Sequence, residues 1–556
     1  MSDFIILLII IGLKIFLFQT TPSTDFEVHR NWKAITNSLP INQWYFFSKN
    51  KWTLDYPPLF AYMEYFFGKI SKYFDENITS LDKQNYSSNV CKNFMRATVL
   101  IGDFFLFFSL KKLCKNLNLK INQCVILLLA IQLNAGLVIV DNIHFQYNGI
   151  LFGLLFFSIS FIAEKKYVLG AMFYFICVCM KHLFLYFAPA YCLFYFHYII
   201  IKNIKKKKFK KLFTKVFLII LGFGFVFGLT FLPFLIISYK EKNLTQLIQI
   251  KERLFPLKRG LLHSYWAPNF WALYSTADKL LYLFHNNKEI KINFIEKICN
   301  YLLKYKKDIN IRKNISSTGA GVTGVSSETG FDILPDIDIK TTNIIIISFL
   351  LIYILKFWYK KSHEKQEKNK NTKIKELIQH CIFSNLIFFN FGYQVHEKAF
   401  LNIALLAIIY YVSFVYVVEK NNNKMLSYTD SITSLTLIIT LIGILAQLPL
   451  VNDTKDYLVK IGLTLLYFIF CNVKLFNKGD FNSDISTKLL IIFVLCIGLV
   501  LDFFITFQNH ADYNVKALGI KYLEKLNDKY PFAFLLTYSC LNSVYVQTIL
   551  LLLFLA

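Results

Sequence analysis

Six short polar clusters interrupt a strongly apolar chain, and their residue types are those of proton transfer and phosphate recognition. They are Asp25 to Trp32, Asp55-Tyr56-Pro57-Pro58, Asp141 to Gly149, Lys181-His182, Phe255 to Gly260 and His396-Glu397-Lys398. A carboxylate can take the proton of an attacking hydroxyl, and Lys, Arg or His can meet phosphate oxygens. Ionisable groups packed this densely are costly near lipid, so each cluster reads as a face turned to water or substrate.

Spacing leaves two readings open for each cluster. The prolines after Asp55 favour a helix start, so Asp55 is either an N-capping carboxylate for a helix over 58–67 or a catalytic base. Asp25 is followed closely by Glu27, His29 and Arg30, and an Asp25–Arg30 pair holding the loop is the simpler reading there. His396 and Lys398 either grip a phosphate or snorkel at an interface. Lys258 and Arg259, after Pro256, make a tight basic turn with the same two uses. His144, Gln146, Tyr147 and Asn148 form a hydrogen-bonding strip suited to sugar hydroxyls or to a polar turn, and Lys181-His182 either packs a turn or meets a ligand.

The elements that must position these groups are membrane helices. The chain has 556 residues, 55% of them hydrophobic with 58 Phe and 33 Tyr, and a mean hydropathy of +0.45, far too apolar for a soluble protein. Crossing the hydrocarbon core takes roughly 20 mostly apolar residues. Such runs predict spans at 4–20, 94–111, 122–140, 147–163, 167–181, 183–201, 213–238, 342–358, 377–393, 399–418, 433–450, 457–473, 488–507 and 532–555. The expected fold is therefore all-α and polytopic, one membrane body over 1–556 with about 14 transmembrane helices. Its two large loops cover 21–93 and 239–341.

The net charge of +26 sits in short runs between apolar segments, such as Lys205 to Lys211 and Lys360 to Lys375. That is the positive-inside pattern, which leaves no case for nucleic acid as a partner and a secondary one for anionic lipid. With a cytosolic amino terminus these runs fall on the cytosolic side. The N-x-Ser/Thr triplets at Asn77, Asn85, Asn243, Asn314 and Asn452 then all fall on the opposite, lumenal side, as a secretory-pathway membrane requires. Phe4 to Phe18 lacks a small-residue cleavage site after it and reads as a retained helix. The segment 267–284 would put Lys356 to Lys375 on the wrong side if it crossed, so it reads as an interfacial or re-entrant helix. The Gly/Ser/Thr-rich piece 316–330 reads as a flexible loop, either a linker or a gate. Eleven cysteines show no CxxC pair and no zinc-like spacing with His, so they read as packing residues. No internal repeat is visible, and no pair of broken helices of the transporter kind.

The segments TDFEVHRNWKAITNSLP, WTLDYPPLFAYMEY, FMRATVLIGD, HFQYNGILFG, KHLFLYFAPAY, LFPLKRGL, YWAPNFWALY and VHEKAF resemble the endoplasmic-reticulum glucosyltransferases of asparagine-linked glycosylation. These form glycosyltransferase family 57, of the GT-C fold, and use dolichyl-phosphate glucose. The likeness runs from Thr24 to Lys398 and more weakly into YPFAFLLTYSCLNSVY. Members that add the first glucose typically carry Glu-Ala-Gln-Arg-His-Trp where this chain has Glu27 to Trp32, and Gly where it has Thr53. The chain looks more like those that add the second. The loops are more basic and longer than usual, and Tyr393-Gln394 precedes the Val-His-Glu-Lys motif.

The resemblance implies an inverting, lumenal transfer from a beta-linked donor that yields an alpha-1,3 bond. By carry-over Asp55 is the general base, and His396, Lys398, Arg259 and Lys258 meet the donor phosphate. Asp25, Glu27, His29, Arg30, His144, Gln146, Tyr147 and Lys181 would position sugar or loop. A phosphate leaving group needs no general acid, so one base and cations suffice, and neither a metal nor a further cofactor is expected. The implied partners are dolichyl-phosphate glucose, the diphosphodolichol-linked oligosaccharide and lipids of the endoplasmic-reticulum membrane. Two other readings stand beside this one: the paralogue that adds the first glucose, and a polytopic lipid or solute transporter, which would place ionisable groups within its spans, whereas here they are expected to cluster in the lumenal loops.

Overall fold

A computed structural model describes residues 3–256, 260–262, 267–286, 293–310, 331–363, 370–415, 423–476, 485–507 and 533–555. Each apolar run read as a span is mostly helical over its described residues, and the described residues contain no strand. Six helices are long and apolar enough to cross a membrane, or up to eight if each of two bent pairs is one crossing. The difference from fourteen has local causes. Asn148–Ala163, Tyr167–Met180 and Ile491–Thr506 are apolar but short, and Asn89–Asn116 carries Arg96, Asp103, Lys111 and Lys112 within an otherwise apolar sequence.

The first helix, α1 (Asp3–Ile15), runs through a 3-10 turn to Gln19, and the chain then bends by 92° into α2 (Thr24–Ser38). Ser23 starts α2 by accepting from the Phe26 amide at 3.2 Å, a cap of the kind that contributes about 1 kcal/mol. This segment, polar enough to read as loop, is a fifteen-residue helix that lies across the end of α1. It is buried on nearly every side, Phe26 to Thr36 included. Its charges point inward and meet partners there, which a pattern of outward polar residues would not require. Pro57 and Pro58 open α3 (Pro58–Ser71), where a missing amide and a fixed φ cost nothing. Ser88 caps α4 (Asn89–Asn116) through the Cys91 amide. Helix α3 packs along α2, and α4 along Asn148–Ala163, so the polar clusters near 25, 55 and 145 are brought to one end of the body.

Two features differ from the sequence reading of the spans. The run 122–140 is not one helix: it breaks after Gln132 and bends by 41° into Ala135–Ile143. Asn134 restarts it, accepting from the Leu137 amide at 3.1 Å. Ionisable residues also lie inside the helical body, as the pairs Lys14–Asp103 at 2.5 Å and Lys460–Asp502 at 2.9 Å. Each pair is almost fully buried and carries further hydrogen bonds, from Gln132 to the Asp103 carbonyl and from Lys460 to Thr506. Low-dielectric burial is tolerable only with such pairing.

Phe270–Asn286 is 17 residues long and is not among the helices apolar enough to cross. It packs on Ala533–Leu555 and Lys370–Phe391. Trp271 donates its indole N–H to the Gly392 carbonyl at 2.9 Å, which ties this helix to the chain just before His396. The segment 316–330 lies outside the described residues.

Candidate active site

Seven polar groups of the clusters singled out in the sequence form one hydrogen-bonded rail. Lys398 Nζ donates to Asp25 Oδ2 at 2.7 Å and lies 3.1 Å from His144 Nε2. Gln146 Nε2 donates to the same Asp25 oxygen at 2.7 Å. Lys181 Nζ donates to Gln146 Oε1 at 3.0 Å and to Asn148 Oδ1 at 3.2 Å. Asn148 then donates to Asp141, whose other oxygen accepts from the Gly149 amide. Lys398 and Asp25 thus meet across 373 positions of chain, with two lysines and two aspartates along the rail. Burial works against the charge on Asp25, yet Lys398 and His144 outweigh it and hold the carboxyl well below its usual value. Arg30 is not the partner of Asp25. In a helix, residues five apart do not face each other, whereas Glu27 and Arg30 do, and they form a two-pronged pair at 2.7 and 2.8 Å.

The strip that supplies His144 and Gln146 is bent into place. Ile139–Ile143 is a π-helical turn, and Phe145 follows with φ 79°, a left-handed conformation that costs a bulky residue about 1–3 kcal/mol. Phe145 is fully buried against Phe26, His29 and Tyr147, and the turn at this residue aims Gln146 and His144 at the same carboxylate.

Asp55 lies half-buried in the irregular stretch before α3. It is not the N-cap: Pro57 holds that position, and no side chain caps the helix. The adjacent Tyr56 ring joins Asp55 to the rail, since Lys181 Nζ sits 5.2 Å from its centroid. Trp32 and Phe60 pack against the ring at 5.0 and 4.8 Å. Burial, and after it the field of Asp55, push the Tyr56 phenol well above its usual value, and Asp25, Asp141 and Glu64 add to the effect.

The remaining residues fall into two buried groups. His29 Nδ1 and Lys33 Nζ both meet Glu64, at 2.6 and 2.5 Å, and Lys33 also donates to the Tyr147 hydroxyl at 3.0 Å. Burial lowers the His29 pKa, whereas Lys33 and Glu64 hold each other charged against burial. Arg30, besides Glu27, donates to the Ile78 and Ser80 carbonyls at 3.1 and 3.0 Å and so pins the loop before α4. Glu64 and Lys33 were not singled out in the sequence. The usable signal was a lone carboxylate inside an apolar helix, which calls for a buried partner. His396 lies half-buried at the start of a 3-10 turn, with Glu397 buried beside it. Lys258 and Arg259 lie outside the described residues. Leu261, two positions later, accepts from the Gln394 amide at 2.9 Å, close in sequence to His396.

The model of the ALG6, ALG8 glycosyltransferase family matches residues 10–553. The chain belongs to this family. Every residue of the rail lies inside the matched stretch. Among similar curated proteins, the dolichyl pyrophosphate Glc1Man9GlcNAc2 alpha-1,3-glucosyltransferase of Kluyveromyces lactis is 32% identical over 558 residues, covering 96% of this chain and 89% of that protein. The protein of the same name from Bos taurus is 35% identical, covering 82% and 79%. That from Schizosaccharomyces pombe is 37% identical, covering 70% and 71%.

Proposed function

We propose that this family member transfers glucose from dolichyl-phosphate glucose to the monoglucosylated high-mannose lipid-linked oligosaccharide, forming an alpha-1,3 linkage during N-glycan precursor assembly. The single observation that carries the reading is the likeness to proteins of that named activity, at 30–37% identity over 70–96% of the chain. The second-glucose step is favoured over the first by those names and by His29, Asn31 and Thr53 in the motifs. On this reading the fold is of the GT-C type with about fourteen spans, the bent pairs, the short helices and Asn89–Asn116, Lys370–Phe391 and Ala533–Leu555 all counted as crossings, and it sits in the endoplasmic-reticulum membrane with its site in the lumen.

Asp55 is the general base: it takes the proton of the acceptor hydroxyl as that oxygen attacks the anomeric carbon, and dolichyl phosphate leaves from the opposite face. His396, Lys398, Lys258 and Arg259 meet the departing phosphate. Asp25 and His144 hold Lys398 in place for this, while Gln146 and Lys181 supply polar contacts along the sugar. Phosphate leaves without a general acid, so the chemistry calls for no resident metal. The buried pairs Lys14–Asp103 and Lys460–Asp502 are each satisfied internally, which favours a structural role over a transport path.

Transfer by the purified protein between the two lipid-linked substrates tests the reading, with full loss expected in Asp55→Asn. Persistent transfer by Asp55→Ala would sink the base assignment, and no transfer by wild type would favour the transporter. In cells lacking the protein, the monoglucosylated intermediate should accumulate, and accumulation of the unglucosylated form would point to the first-glucose paralogue.

A further inference from the structure

The stretch 50–57, which carries Asp55, has no regular secondary structure, so its carbonyls have no ladder of their own to donate into them. Side chains take that part. Asn31 Nδ2 donates to the Trp52 carbonyl at 2.8 Å, and Asn31 and Asn50 exchange amide hydrogen bonds at 2.9 and 3.3 Å. The Trp32 indole N–H donates to the Thr53 carbonyl at 3.0 Å. On the other side of Asp55, the Tyr45 hydroxyl donates to the Tyr56 carbonyl at 2.7 Å. Tyr45 is itself fixed, because Gln249 and Arg253 of the helix Thr245–Leu254 both donate to its carbonyl at 3.0 Å.

We propose that Asn31 and Trp32 of α2, with Tyr45, are positioning residues that clamp the Asp55 backbone from both sides and so set where its carboxylate stands. The donors are specific to this stretch. Asn31 is fully buried; its amide nitrogen donates to Asn50 and to the Trp52 carbonyl, and its amide oxygen accepts from Asn50. The same helix also carries Asp25 at its first turn, so one rigid element fixes Asp55 relative to the rail. Its grip on α3 through His29, Lys33 and Glu64 fixes the helix that follows Asp55. A carboxylate on a chain segment without a ladder would otherwise sample many positions, and a displacement of about 1 Å is enough to cost on the order of 10²-fold in rate.

The proposal rests on Asp55 being the base, and the test separates the two. Trp32→Phe keeps an aromatic ring beside Tyr56 but removes the indole N–H with part of the bicyclic ring, and Asn31→Ala removes the amide. In the purified full-length protein each should lower kcat about 10-fold, the loss of roughly one hydrogen bond's worth of placement, with KM for donor and acceptor within about twofold. Backbone hydrogen exchange should rise over 50–57 while α3 and α4 stay protected, which shows that the protein is still folded. Unchanged exchange over 50–57 with unchanged kcat would overturn the clamp. A rise in exchange with unchanged kcat would overturn its catalytic meaning. Wild-type kcat in Asp55→Asn would remove the base assignment instead, whatever the exchange shows.

Discussion

Replacing Glu64 by Gln should loosen the whole end of the molecule that carries the site. Glu64 is fully buried between Lys33 at 2.5 Å and His29 at 2.6 Å. The substitution keeps the size and one acceptor but removes the charge, leaving the Lys33 ammonium buried with the Tyr147 hydroxyl at 3.0 Å. Removing one partner of a buried pair costs about 3–5 kcal/mol. Since α2 and α3 meet at this point, that cost falls on their joint opening, and it corresponds to roughly two to three and a half powers of ten in the opening equilibrium. Hydrogen exchange on the full-length protein reads it directly, over 24–38 and 58–71, with the helix Tyr457–Phe470 as an internal reference. Combining Glu64→Gln with Lys33→Met should recover most of the protection, because a neutral pair leaves no stranded charge. Exchange within about threefold of wild type in the single variant, or no recovery in the double, would refute the reasoning.

Lys398→Ala removes the ammonium shared by Asp25 and His144 and should raise the donor KM by about 10- to 100-fold, the worth of a charged hydrogen bond; steady-state kinetics with a donor unchanged in KM would take Lys398 away from the phosphate. Asn85 and Ser87 are exposed in a turn, whereas Thr79 is buried with its hydroxyl bonded to the Glu76 carbonyl. The endoglycosidase-sensitive band shift should therefore shrink by one glycan in Asn85→Gln and stay at its wild-type size in Asn77→Gln, and the reverse result would count against both the exposure argument and this placement. His29 is held below its ordinary pKa by burial, so the unfolded chain takes up a proton near pH 6.5 that the folded chain refuses. Stability should fall as pH drops from 7.5 through 6, and His29→Gln should flatten that slope in thermal inactivation. An unaltered slope would show that His29 protonates without cost.

Much of the architecture was legible because lipid imposes it. Runs of apolar residues long enough to cross are expected to be helices, and the described residues of each run are mostly helical, with a break in 122–140. The polar clusters stood out for the same reason, since charge among such runs is expensive. Their partners did not stand out. Asp25 and Arg30 are near in sequence, yet helical geometry sends Arg30 to Glu27, while Asp25 is met by Lys398 from the far side of the chain. Asp55 beside two prolines looked like a cap, yet the backbone gives that position to Pro57. Glu64 and Lys33 are single letters in apolar surroundings, and only packing shows that each answers the other.

Hydropathy and motif spacing are local properties of the chain, and they were enough to read a helical membrane body, the polar segments that interrupt it, and the family to which its motifs point. Which charges neutralise which, that 24–38 is a buried helix lying across α1, and that side chains of this helix hold the stretch bearing Asp55 emerged only from the packing. Hydrogen-bond partners that lie tens to hundreds of residues apart are selected by the packing of helices, and no local pattern records that choice.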